Sequence, residues 1–207
     1  MLSAMQHTSQ VGASKLAHAV SMLLSLASVL APAWVSAVEL HGVSLPERIA
    51  VAPATDLVLN GAGVRTEASL HRYVAALYLP ARHGTLTDIL ADPGPKRIRL
   101  TLLRDMRAAS LTQSVLENIA ENHTASELES LKAPLDELTA LINRLGAAKK
   151  GASLFLDYLP GSGTSLSLNG GAFSKPIRGA DLYQALLRVW LGEDPVDRKL
   201  RRALLGQ

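Results

Sequence analysis

The sequence predicts an α+β domain in which an antiparallel sheet carries helices on one face. Three features predict it. Short extended runs dominate the chain from Val38 to Leu103, two helices with apolar stripes follow, and a glycine-rich hairpin precedes a closing pair of helices.

Val38 to Leu45 and Ile49 to Val51 read as extended pieces broken by Pro46 and Pro53. Leu57 to Leu59, Val64 to Ser69 and Tyr73 to Leu79 continue as a strand meander, and Pro80 ends it. Thr85 with Asp88 forms a weak capping box for a short helix that stops before Pro93-Gly94-Pro95. Lys96 to Leu103 is the next strand, with Ile98, Leu100 and Leu102 alternating against Arg97, Arg99 and Thr101.

Ser110 with Gln113 opens the first long helix, whose Leu111, Val115 and Ile119 share one face; Thr124 with Glu127 opens the second. Pro134 falls inside the second pattern and should kink or split it, and Gly146 should stop it. Ser153 to Tyr158 and Thr164 to Leu168 flank a Pro160-Gly161-Ser162-Gly163 turn, and Asn169-Gly170-Gly171 turns the chain into a short run around Phe173. Asp181 begins a helix with Leu182, Ala185, Leu186, Val189 and Trp190 on one face, closed by Gly192. Asp194-Pro195 should start the last helix.

Residues 1–37 contain Lys15 as their only Lys or Arg and no Asp or Glu, then an apolar stretch from about Ala17 to Ala33, then Val35-Ser36-Ala37 at a cleavage-like site. This reads as a secretory signal peptide and implies a periplasmic protein that meets the membrane only during export; an uncleaved anchor is the alternative. The stretch is short for a membrane span and is interrupted by His18, Ser21, Ser25, Ser28 and Pro32. Residues 38–207 then form one domain.

Without Lys15, 20 Lys and Arg stand against 18 Asp and Glu, so charge gives no reason to expect nucleic acid as a partner. The absence of cysteine excludes disulfides, thiolate zinc sites and a cysteine nucleophile. His41, His71, His83 and His123 show no metal-ligand spacing, so no metal is expected. Gly61-Ala62-Gly63 lacks the third glycine of a dinucleotide loop, and Gly161-Ser162-Gly163 is a hairpin turn rather than a nucleophile elbow.

The most informative segment is Gly61-Ala62-Gly63-Val64-Arg65, close before Tyr73-Val74-Ala75-Ala76-Leu77-Tyr78-Leu79. A guanidinium among apolar neighbours needs an anionic partner or an opening to water, which makes Arg65 a candidate site residue. On spacing alone it also fits an ordinary solvated strand position, with the glycines supplying turn or bulge geometry.

These two segments, with Glu117-Asn118 on the first long helix and the closing Val189-Trp190-Leu191-Gly192, resemble the bacterial chalcone isomerase-like family over residues 38–207. The resemblance implies an open-faced β-sandwich: a large antiparallel sheet, a helical layer, and a cleft between them. Plant isomerases of this fold close a chalcone into a flavanone with no cofactor. An arginine holds the substrate oxyanion while Tyr, Thr and Asn polarise the enone. Related plant members instead bind fatty acids, with that arginine and a nearby tyrosine on the carboxylate. By this resemblance Arg65 matches the family arginine, Asn118 the cleft asparagine, and Tyr73 stands near the strand threonine. Leu111 replaces the expected tyrosine and Val189 the late threonine.

Leu and Val cannot donate a hydrogen bond to a developing oxyanion, and losing such a donor typically costs about 2.7–4 kcal/mol. The leading expectation is therefore an exported binder of a fatty acid or similar hydrophobic carboxylate, held by Arg65, Tyr73 and Asn118. A cofactor-independent isomerase (intramolecular lyase) is the alternative, and a cleftless envelope protein is a third reading.

Overall fold

A computed structural model describes residues 36–51, 55–172 and 175–207. The expected signal peptide falls almost wholly outside the described residues, as does Phe173. Strands β1 (Ala37–Leu40) and β2 (Val43–Pro46) pair with each other, and β3 (Arg48–Val51) leads to the long strands β4 (Thr55–Glu67) and β5 (Leu70–Leu79). Helix α1 (Leu86–Ala91), β6 (Lys96–Leu102), the short β7 (Met106–Arg107), α2 (Ala108–Glu121), α3 (Ala125–Arg144) and β8 (Ala147–Ala148) follow. Strands β9 (Ser153–Leu159), β10 (Gly163–Leu168) and β11 (Gly171–Ala172), then α4 (Asp181–Leu191) and α5 (Arg198–Leu204), complete the order. The main sheet runs β11-β10-β9-β6-β5-β4-β3 with antiparallel ladders throughout, which is the expected α+β arrangement.

Two-residue alternation along the central strands separates two apolar faces. Tyr73, Ala75 and Leu77 on β5, with Ile98, Leu100 and Leu102 on β6, belong to one cluster with the helical side chains Ile119, Leu138, Leu186 and Trp190. The intervening Val74, Ala76 and Tyr78 pack in a second cluster with Val43 and Leu45 of the β1–β2 hairpin. Helices thus cover one face, while the hairpin covers part of the other. Each large apolar side chain so buried contributes about 1.5–3 kcal/mol.

Several boundaries differ from expectation, each for a local physical reason. Leu57 to Leu59 and Val64 to Glu67 lie on one continuous strand, with a register shift at Leu59/Gly61 rather than a break. Helix α2 starts at Ala108, so Ser110 does not cap it; its N-cap is Arg107, which belongs to the β7–β8 pair. Thr124 and Glu127 do form a complete capping box on α3, and Thr85 accepts from the Asp88 backbone at the start of α1. Helix α3 continues through Pro134 without being split, because Leu131, Leu135 and Leu138 on either side are anchored in the core. The last helix starts after Asp197 rather than at Asp194-Pro195: the Asp197 carboxylate accepts from the backbone N–H groups of Lys199 and Leu200.

The glycines of β4 are sites of close approach. Gly61 and Gly63 share the helix-facing side with Arg65, and α5 lies directly on them. A Cβ at Gly61 would stand 2.1 Å from the Ala203 carbonyl oxygen, and one at Gly63 would stand 2.8 Å from the Ala203 Cβ. Asn60, the unpaired residue at the register shift, is buried and donates to the Leu204 carbonyl at 2.7 Å, fixing the end of α5. Gly61→Ala should therefore destabilise the protein by at least about 1–3 kcal/mol, as overpacking against backbone does. Chemical denaturation measures this, and an unchanged unfolding midpoint would refute the contact.

Candidate functional site

Arg65 and Tyr73 are directly opposed in the β4–β5 ladder, so both side chains emerge on the helix-facing side. The next rung pairs Thr66 with His71, leaving Arg72 unpaired at a second register shift. Strict alternation would send Arg72 away from Tyr73, but the bulge turns it toward the same cavity. This cavity, about 330 Å³, lies between the end of β4–β5 and helices α2 and α4. Its apolar wall includes Leu111, Val115, Val189 and Trp190, and its charged rim is Arg65, Glu67, Arg72 and Glu117.

Tyr73 is buried, and its Oη accepts the indole N–H of Trp190 at 3.0 Å. Among the described residues no acceptor takes the hydroxyl proton, which leaves the phenol free to donate into the cavity. Burial pushes the Tyr73 hydroxyl up to about 12, outweighing the Trp190 hydrogen bond and the Arg65 charge that pull it down. It is a neutral donor at physiological pH.

Arg65 is not the lone buried cation that its apolar sequence neighbours suggest. Its side chain is 18% exposed, and Nη1 donates to the Thr66 carbonyl at 2.8 Å. Glu67 stands 3.6 Å from Nη2 and Asp197 stands 3.8 Å from Nη1, so two acids accompany the guanidinium without hydrogen-bonding it. Arg72 Nε approaches the other oxygen of Glu67 at 3.5 Å. Burial would raise the Asp197 carboxyl, but the N–H groups of Leu200, Thr66 and Lys199, with Arg65, hold it below the usual carboxylate range.

Arg65 and Tyr73 therefore meet in one cavity, whereas Asn118 does not line it. The Asn118 amide donates to the Ser114 carbonyl one turn back on α2, at 2.7 Å. Sequence reasoning did not single out Glu67, Arg72, Trp190 or Asp197 as site residues. Asp197 was obscured by the stronger Asp194-Pro195 signal, and Arg72 by the alternation that its bulge interrupts. No group of three or more His, Asp or Glu suited to a metal occurs among the described residues.

A sequence model described as chalcone isomerase-like matches residues 37–206. The chain belongs to the chalcone isomerase-like family. No curated protein matches the sequence. Among solved structures, this chalcone isomerase-like protein is similar to a fatty-acid binding protein from Arabidopsis thaliana, with a TM-score of 0.62, 18% identity, and coverage of 82% of this chain and 96% of that one. At that identity the likeness establishes the fold. Leu111 and Val189, the positions that the resemblance assigned to lost isomerase hydroxyls, both line the cavity beside Arg65.

The raised Tyr73 value has a measurable consequence. Folding favours the neutral phenol, so this contribution to stability is complete below pH 10 and is lost as pH rises toward about 12. Burial also raises Tyr78 and Tyr183, so the Tyr73 signal is the difference between wild type and Tyr73→Phe. That difference in phenolate absorbance should develop near pH 12; its appearance near pH 10 would contradict the buried assignment.

Proposed function

We propose that the protein is an exported, non-catalytic binder of a fatty acid or similar hydrophobic anion. The observation that carries this reading is the shared cavity in which the Arg65 guanidinium and the Tyr73 hydroxyl stand beside apolar Leu111 and Val189. A permanently charged fork and a neutral phenol suit an oxyanion, and the apolar wall suits a hydrocarbon tail. A volume of about 330 Å³ lies near the lower end of the roughly 300–1,000 Å³ typical of ligand pockets and favours a medium-length tail. The open space beside Arg65 counts against a filled interior with no ligand. The structural likeness to a plant fatty-acid binding protein supports the same reading.

The isomerase alternative retains one favourable feature: Tyr73 is a protonated donor directly opposite Arg65. Against it stand Leu111 and Val189, which supply no further hydrogen bond to a growing charge. Asn118 is omitted from the ligand contacts because it does not line the cavity. Export is supported by the signal-like composition of residues 1–37. Amino-terminal sequencing of protein matured in cells should read from Val38, and a retained leader would overturn export by cleavage.

Dodecanoate is a suitable test ligand. Wild-type protein should bind it, and Arg65→Ala should weaken binding by about 1.5–3 kcal/mol, or roughly ten- to 150-fold, as loss of a charged hydrogen-bond donor does. Equal affinity of the two proteins in titration calorimetry would defeat the proposal, and turnover of chalcone above the buffer rate would favour the isomerase.

A further inference from the structure

The strongest unexplained feature of the cavity is its third charge. The Glu67 carboxylate lies between two guanidiniums, 3.6 Å from Arg65 Nη2 and 3.5 Å from Arg72 Nε, and no hydrogen bond joins it to either. Its side chain is 56% exposed, whereas those of Arg65 and Arg72 are 18% and 29% exposed. The acid can turn into water more readily than either arginine. Asp197, the other acid beside Arg65, has no such freedom, because its two oxygens accept three backbone N–H groups from β4 and α5.

We propose that Glu67 is a resident stand-in for the ligand's head group: an anionic ligand binds by replacing its carboxylate between the guanidiniums, and Arg72 then becomes the second arginine of the site. A carboxylate already reaches both cations at once, so the gap accepts a group of that size and charge. Arg72 is available because the register shift between Arg65 and Thr66 leaves it unpaired and turned toward the cavity that Tyr73 lines. Glu67 thereby sets the affinity threshold. A neutral amphiphile gains nothing by displacing it, whereas a carboxylate recovers both Coulombic contacts as the freed acid regains water.

The inference rests on the binder reading above, and the test separates the two. Dodecanoate and dodecanol are titrated calorimetrically into wild type, Glu67→Gln and Arg72→Gln, with thermal unfolding confirming that the substitutions leave the fold intact. Glu67→Gln should bind dodecanoate about two- to fivefold more tightly, the range of an exposed ion pair, and Arg72→Gln should bind it weaker by a similar factor. Dodecanol affinity should be the same in all three. Failure of wild type to bind dodecanoate overturns the binder reading and this inference together. Arg65-dependent binding that Glu67→Gln leaves unchanged or weakens, that Arg72→Gln does not weaken, or that changes equally for dodecanol overturns this inference alone.

Discussion

Helix α5 lies against β4 because two strand positions have no Cβ, and the arrangement of charge around Arg65 follows from that contact. Along the strand, Gly61, Gly63 and Arg65 occupy alternate positions on one face; along the helix, Asp197, Leu200 and Ala203 are spaced to lie over them. Leu200 and Ala203 settle onto the glycines, which brings the carboxylate at the head of α5 to the Thr66 N–H and within 3.8 Å of Arg65. The motif therefore has two parts with different work: the glycines seat the helix, and the arginine uses what the helix brings.

That arrangement changes what Arg65 can do. A guanidinium alone in an apolar setting would be costly, whereas one flanked by two acids at more than hydrogen-bond length is tolerable and still has donors to offer. The two acids differ in kind. Asp197 is fixed by three backbone donors and stabilises the fold around the arginine, while Glu67 is held only by charge and reaches into solvent.

The opposite wall is where the proposed binding and catalysis part. Leu111 on α2 and Val189 on α4 enlarge the apolar surface that meets Tyr73 and Trp190, and neither can follow a charge as it moves during a reaction. The donors Arg65 and Tyr73 stand on one side of the cavity and have no counterpart at Leu111 or Val189. The Trp190 indole contributes by occupying one lone pair of the Tyr73 oxygen, so that the phenolic proton turns elsewhere.

Element types were legible in the sequence because they depend on local patterns: a continuous apolar run ended by Pro80 gave β5, alternation gave β6, and the Thr124–Glu127 box gave the start of α3. The family was also readable, because it resides in residue identity. Tertiary structure decided the rest. Asp197 rather than Asp194 caps α5 since its carboxylate meets two backbone donors of that helix and one of β4, a coincidence of segments 131 residues apart. Arg72 turns inward at a bulge set by pairing with a neighbouring strand. Periodicity fixes the face on which a side chain begins, but only packing between distant segments determines which groups finally meet.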